Sequence, residues 1–264
     1  MGMASKKSVS RTTAKTFLVC GDESLVREYA KFLSHGDADV YVWHPRKPDL
    51  PKRKNLKYSR TLSRIPKKLI AVFELTNISS EAKIDNLKKI EAHCAKESIL
   101  LSSSVTLTAT TQSVYLKHSQ RLVGLAALPS LLRNDLVELN RGPFTHNDVL
   151  KSAGEIIFDY KKEVSLVDDR IGMVMPRILC CLVNEATFAL QEEVASMEDI
   201  DTAMKLGTNY PNGPVEWGEE IGFDQVLAVM DALHRDTGEE RYRPSPLLRK
   251  LAAGTQLTHH FAGT

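Results

Sequence analysis

Gly21 sits between an apolar run, Thr16-Phe17-Leu18-Val19-Cys20, and an amphipathic stretch from Ser24 to Ser34. A strand, a glycine and a helix in that order make a turn where a phosphate can approach both the backbone and a helix N-terminus. A full dinucleotide turn carries G-x-G-x-x-G: one glycine for the tight turn, one for approach of the pyrophosphate, one for helix–strand packing. Here the turn reads Cys20-Gly21-Asp22-Glu23-Ser24-Leu25-Val26, so Glu23 and Val26 take the second and third places. Gly21 is thus a weak cofactor-binding candidate. A carboxylate held about 4 Å from a phosphate oxygen costs roughly 4 kcal/mol at an effective dielectric constant of about 20. The second strand ends in Trp43-His44-Pro45, without the acidic residue that binds ribose hydroxyls in such folds. On these residues no cofactor is expected to bind.

Other reactive side chains are scattered. Cys20, Cys94, Cys180 and Cys181 lack metal-ligand spacing, so no metal is expected. Buried cysteine commonly acts as a small hydrophobe, and free thiols fit a reducing cytoplasm. His44, His93, His118 and His146 stand apart from one another, and a lone histidine is more often structural than catalytic.

The elements that must position these residues follow two patterns. With 264 residues, 42% of them hydrophobic, the chain can fill two modest cores. Strands are predicted at Thr16 to Cys20, Val40 to Trp43, Leu69 to Glu74, Ile99 to Ser102, Leu122 to Leu125, Leu136 to Leu139 and near Val164. Helices are predicted at Ser24 to Ser34, Glu81 to Lys96 and His146 to Lys161. Such alternation implies parallel strands joined by right-handed crossovers, a Rossmann-like α/β domain over residues 16–167. From Asp168 the strand pattern stops. Helices opened by Asp168-Asp169, Ser196, Asp224 and Ser245-Pro246 predict an all-α domain over residues 168–264. Ser196 and Asp199 form a capping box, Gly207 is expected to close that helix with φ above zero, and Pro211-Asn212-Gly213-Pro214 forces a turn.

Charge is unevenly spread. Residues 1–70 hold sixteen Lys and Arg against six Asp and Glu, while the whole chain carries only +2. Most of the excess lies from Arg46 to Lys68, where three prolines also break any long helix, so a mobile, solvated connection is expected. It could attract an anion, such as the phosphates of coenzyme A, or RNA, but no aromatic ladder or nucleic-acid motif accompanies it. Residues 1–15 carry basic residues without the apolar stretch of a secretory signal and read as a disordered lead. Apolar runs stop well short of 18 residues, so no membrane span is expected.

The segment Ser196 to Phe223, SMEDIDTAMKLGTNYPNGPVEWGEEIGF, with the flanking RILCCLVNEATFALQEEV and RYRPSPLLRKLAAG, resembles the carboxy-terminal domain of the 3-hydroxyacyl-CoA dehydrogenases of fatty-acid β-oxidation. The resemblance runs from about Thr16 to Gly254. ILLSSSVTLTATT is similar to that family's ILASNTSSL-type strand and loop. RLVGLAALPSLLRNDLVELNRGP is similar to its stretch from RVIGLHFFNPV to VEVVRGP, and DRIGMVMPRIL to its PGFVVNRLL. The resemblance implies NAD as cofactor, an acyl-CoA or coenzyme A ligand, and a homodimer paired through the helical domain. It also implies a general-base histidine oriented by a glutamate, with a serine and an asparagine positioning the substrate. These positions fall on Ala126, Glu138, Val105 and Pro176 respectively, so Glu138 alone keeps the family's residue. The family's longer helical arm between the second and third strands is replaced by the basic segment.

Loss of a general base typically removes about 10²–10⁴ in rate. The expectation is therefore a divergent family member without NAD-dependent dehydrogenase activity, with a binding, scaffolding or regulatory role. The alternative is a functional acyl-CoA-processing oxidoreductase of fatty-acid metabolism with altered site residues. A protein that binds nucleotide or RNA through the basic segment is a third reading.

Overall fold

The computed structural model describes residues 15–261, with side chains through Gly254. Apart from Lys15, which pairs with Asp159, the predicted lead lies outside the described residues. Strands β1 (Thr16–Gly21), β2 (Asp39–Trp43), β3 (Leu56–Ser59), β4 (Ala71–Leu75), β5 (Ile99–Ser103), β6 (Leu122–Leu125), β7 (Leu136–Arg141) and β8 (Glu163–Leu166) form one sheet. Their order is β3-β2-β1-β4-β5-β6-β7-β8, and every neighbouring pair is parallel except β6 with β7. The expected Rossmann-like sheet is present.

Helices α1 (Glu23–Leu33) and α4 (Asn147–Asp159) cover one face of the sheet, and α2 (Ser80–His93) covers the other, with the short α3 (Ala109–Ser113) beside it. Helix α1 shows why: Leu25, Val26, Tyr29, Ala30 and Leu33 recur at helical spacing and are all buried against Phe17, Val19, Val42 and Phe73. Each such large side chain contributes about 1.5–3 kcal/mol by leaving water. The strand order reverses between β1 and β4, which opens a crevice at their carboxyl ends.

Strand β3 and helix α3 were not legible in the sequence. The segment from Arg46 to Lys68, expected as a mobile, solvated connection, is packed in part. Leu50, Leu56 and Tyr58 pack on the core, Ile65 is buried, and β3 pairs with β2 from Leu56 to Ser59. Asn55 fastens the entry, its Nδ2 donating to the carbonyls of Ser34, Gly36 and Ala38 at 3.2, 3.0 and 2.9 Å. The cations point outward while the apolar residues between them point in.

The helical domain contains α5 (Met175–Gln191), α6 (Met197–Thr208), α7 (Pro214–Ile221), α8 (Phe223–Thr237) and α9 (Pro246–Phe261). Two sequence expectations shift here. Asp168 and Asp169 do not open α5; the Asp169 carboxylate accepts from the amides of Ala109 and Thr110 at the start of α3. Gly172 and Met173, both at positive φ, then delay the helix to Met175. Helix α6 runs through Gly207 and ends on Asn209 in the left-handed region. Its start is as predicted, with Ser196 Oγ accepting from the Asp199 amide. The core of this domain is continuous with the sheet: Val105, Ala126 and Leu128 pack with Leu179, Val183, Ile221, Val226 and Met230. No helix among the described residues is long and apolar enough to cross a membrane.

Candidate functional site

The β1–α1 turn lies in the crevice between β1 and β4. Gly21 has φ +127, and a Cβ there would stand 2.4 Å from the Leu75 carbonyl carbon, so the turn admits glycine alone. Asp22 occupies the N-cap of α1, yet its side chain makes no capping bond. The carboxylate turns the other way. Its Oδ2 accepts from the backbone amides of Asn77 at 2.7 Å and Ile78 at 3.1 Å, and from Gln225 Nε2 at 2.9 Å. Asn77 Nδ2 donates to Gln225 Oε1 at 2.9 Å and to the Ala127 carbonyl at 2.8 Å. Ser103 Oγ donates to Asn77 Oδ1 at 2.6 Å.

A chain of polar groups thus runs from β5 through the β4–α2 loop to α8 and back to the β1–α1 turn. Asn77, Ser103 and Gln225 are buried, so these bonds are made without competing water. Burial raises the Asp22 carboxyl above the ordinary aspartate range, and the bonds from Asn77, Gln225 and Ile78 offset part of that rise.

The residues present fit a nicotinamide dinucleotide in their backbone. Gly21 keeps the obligatory turn, and the first-turn amides of α1 are not capped by Asp22 and can receive an anion. Val26, which takes a glycine's place in the motif, is fully buried in the core beneath α1 rather than in the turn. Its bulk is absorbed by helix–sheet packing.

The four positions implied by the resemblance do converge. Val105 and Ala126 share the interdomain apolar core, the Gly172 amide donates to the Val105 carbonyl at 2.9 Å, and the Ala126 amide donates to the Glu138 carbonyl at 3.0 Å. Pro176 is buried in the first turn of α5. Glu138 is committed elsewhere: its two carboxylate oxygens accept from the amides of Val174 at 2.9 Å and Met175 at 2.7 Å. It satisfies the unpaired N–H groups that begin every helix. No acid–base pair remains there.

The serines divide. Ser103 joins the polar chain, whereas Ser102 Oγ donates to Glu74 on the opposite face, beside the buried Glu74–Lys83 pair. The histidines are separate: His118 bonds Glu91, His93 bonds the Ile65 carbonyl, and His44 closes on Arg46. No group of His, Cys, Asp and Glu able to hold a metal occurs among the described residues, and the four cysteines are free. Asp22, Asn77 and Gln225 escaped sequence reasoning. Asp22 at least adjoins the turn glycine, but Gln225 reaches Asn77 across 148 positions of sequence, which no local pattern signals.

Residues 38–170 match the family model described as 3-hydroxyacyl-CoA dehydrogenase, NAD binding domain, and residues 172–260 match 3-hydroxyacyl-CoA dehydrogenase, C-terminal domain. A probable 3-hydroxybutyryl-CoA dehydrogenase of Bacillus subtilis is 34% identical over 179 residues, covering 68% of this chain and 62% of the relative. The mitochondrial hydroxyacyl-coenzyme A dehydrogenase of Sus scrofa is 30% identical over 213 residues, covering 77% and 68%. The match spans less than two thirds of the first of these relatives. Among solved structures, M. tuberculosis FadB2 superposes with a TM-score of 0.79 at 20% identity, over 92% of this chain and 95% of that one. The (S)-3-hydroxybutyryl-CoA dehydrogenase PaaH1 of Ralstonia eutropha gives 0.72 at 24% identity, over 92% and 94%. These likenesses establish the fold.

Two expectations are thereby corrected. A chain without dehydrogenase activity is overturned by relatives named 3-hydroxybutyryl-CoA dehydrogenase at about a third identity. The expected absence of a cofactor is overturned by the NAD binding domain match. The turn keeps its glycine and uncapped first-turn amides, and Val26 is taken up in the core beneath α1 rather than in the turn.

Proposed function

Because the chain belongs to the 3-hydroxyacyl-CoA dehydrogenase family, we propose that it is a functional acyl-CoA oxidoreductase of fatty-acid metabolism with altered site residues. The observation that carries this reading is the buried chain Ser103–Asn77–Gln225–Asp22, to which both domains contribute at the carboxyl edge of the sheet. The names of the relatives point to a 3-hydroxyacyl thioester as substrate.

Bound at the β1–α1 turn, a nicotinamide dinucleotide supplies the acceptor for the hydride leaving a secondary alcohol. Gly21 and the amides opening α1 would hold its pyrophosphate. Val105, Ala126 and Leu128 form a dry apolar wall, which strengthens every polar contact beside it. Asp22 stands directly after Gly21 in that same turn, so its carboxylate, held by Gln225 and the Asn77 amide, fixes the cradle. Asp22→Ala should weaken dinucleotide binding by about tenfold in calorimetry, and unchanged affinity would remove Asp22 from the cradle.

We also assign the helical domain a homodimeric contact, supported by the exposed apolar residues Val174, Met175 and Ile178 at the start of α5. Four free cysteines suit a reducing compartment such as the cytoplasm.

A further inference from the structure

The basic segment from Arg46 to Lys68 has no part in the polar chain of the crevice, yet the fold gathers several of its cations in one place. After β3 a single helical turn, Leu62–Arg64, carries the chain across the α2 face of the sheet. There Ile65 and Leu69 are buried with Leu87 and Ile90 of α2, and half-buried Trp43 and Leu62 pack on the same cluster. The His93 ring, at the end of α2, bonds the Ile65 carbonyl through Nε2 at 3.0 Å and fixes this path. Arg60 and Lys67, one on each side of that turn, are thereby brought to α2.

The result is a cavity of about 460 Å³, with Trp43 and Leu62 as its apolar wall and Arg60, Lys67 and Lys89 around it. No carboxylate lines it. Lys89 stands 5.9 Å from the centre of the Trp43 ring and pairs with Asp85 at 2.6 Å, so part of its charge is met. Arg60 and Lys67 are exposed, and neither makes an ion pair with another described residue. A cleft lined by one sign of charge over an apolar wall focuses its potential on an incoming anion. A phosphate group suits it, because a guanidinium gives two parallel N–H bonds to phosphate oxygens and an ammonium adds a point charge. The indole and Leu62 remain for a flat apolar group, which a bare phosphate would leave uncovered. A flat ring joined to a phosphate is the chemistry of a nucleotide. None of the lining residues belongs to the β1–α1 turn or to the chain Ser103–Asn77–Gln225–Asp22, so this site is separate from the dinucleotide's.

We propose that the cleft between the basic segment and α2 binds a nucleoside phosphate, its base against Trp43 and Leu62 and its phosphate on Arg60 and Lys67. This second site goes beyond the oxidoreductase reading and does not depend on it.

Isothermal titration calorimetry on the full chain, with adenosine 5′-monophosphate added in the presence and absence of NADH, tests this. The monophosphate should bind equally in both cases. Arg60→Gln combined with Lys67→Gln should weaken it at least about tenfold and leave NADH affinity unchanged; both residues are exposed, so the fold is not at stake. Adenosine and inorganic phosphate, each half of the ligand, should bind at least about tenfold more weakly than the whole. Coenzyme A, titrated beside the monophosphate, tells the adenosine end of a thioester from a free nucleotide: the tighter of the two that loses its affinity in the double variant is the occupant. Absence of monophosphate binding, its displacement by NADH, or full affinity in the double variant overturns the proposal. Inorganic phosphate binding as tightly as the monophosphate also overturns it, and so does tighter binding of a single-stranded oligoribonucleotide, which would make this face a nucleic-acid surface. These outcomes leave the oxidoreductase reading untouched, because that reading is tested by NADH and acyl-CoA alone.

Discussion

Glu138, which the resemblance marks as a retained family position, serves the backbone with its carboxylate. Both oxygens hold part-buried amides of the turn that opens α5, and leaving two such N–H groups unpaired costs up to about 1–3 kcal/mol each. Glu138→Ala should lower stability in chemical denaturation by that order, and Glu138→Gln by less, because one acceptor oxygen remains. A variant as stable as the parent would show the bonds to be dispensable. Asp22 carries the opposite lesson, invisible in sequence and titratable in the fold. Its folded pKa lies above the ordinary aspartate value near 4, so the native state holds the proton more tightly than the unfolded chain. Stability from this group is therefore greatest at low pH and declines as pH climbs from about 4 to the raised value, then stays level. Urea unfolding of the parent and of Asp22→Asn should diverge through that window, the parent losing ground; parallel curves would contradict the assignment.

Among the elements, those with strong periodicity matched their predicted places within a residue or two, as α1 and β6 show. Strand β3 did not, for a physical reason. Leu56 and Tyr58 alternate with Lys57 over only four residues, and the flanking lysines and arginines mask that short period. What holds β3 is tertiary: the Asn55 latch on the α1–β2 turn and the Val40 amide donating to the Asn55 carbonyl at 2.8 Å. Asn55→Ala should raise amide hydrogen exchange across Lys57 to Ser59 while β1 and β4 stay protected. Uniform protection in that variant would show that the strand is held by its neighbours alone. Val105 and Ala126, which the resemblance sets at polar family positions, have a matching consequence. Their region folds as core, so the site's polar groups come from turns that local patterns cannot connect.

At the scale of the whole molecule, the two domains are joined by one apolar core and one polar chain, with Gln225 of α8 reaching the β1–α1 turn. Movement of the helical domain would therefore be felt at the cofactor cradle. The face of α5 turned away from that core leaves Ile178 52% exposed, above a cavity of about 450 Å³ lined also by Leu182, Tyr210 and Trp217. If a second copy covers it, Ile178→Glu should convert a dimer to a monomer in sedimentation without unfolding the chain, and a parent that sediments as a monomer at micromolar concentration would end the assignment. The proposed activity moves hydride between a nicotinamide dinucleotide and an acyl-CoA. The most direct measurement is mass spectrometry of acetoacetyl-CoA incubated with the protein and reduced dinucleotide, NADPH and NADH in parallel, each deuterated at both C4 positions. Hydride transfer gives 3-hydroxybutyryl-CoA with one deuterium at C3; unreacted acetoacetyl-CoA with both cofactors, or product without deuterium, would contradict this activity.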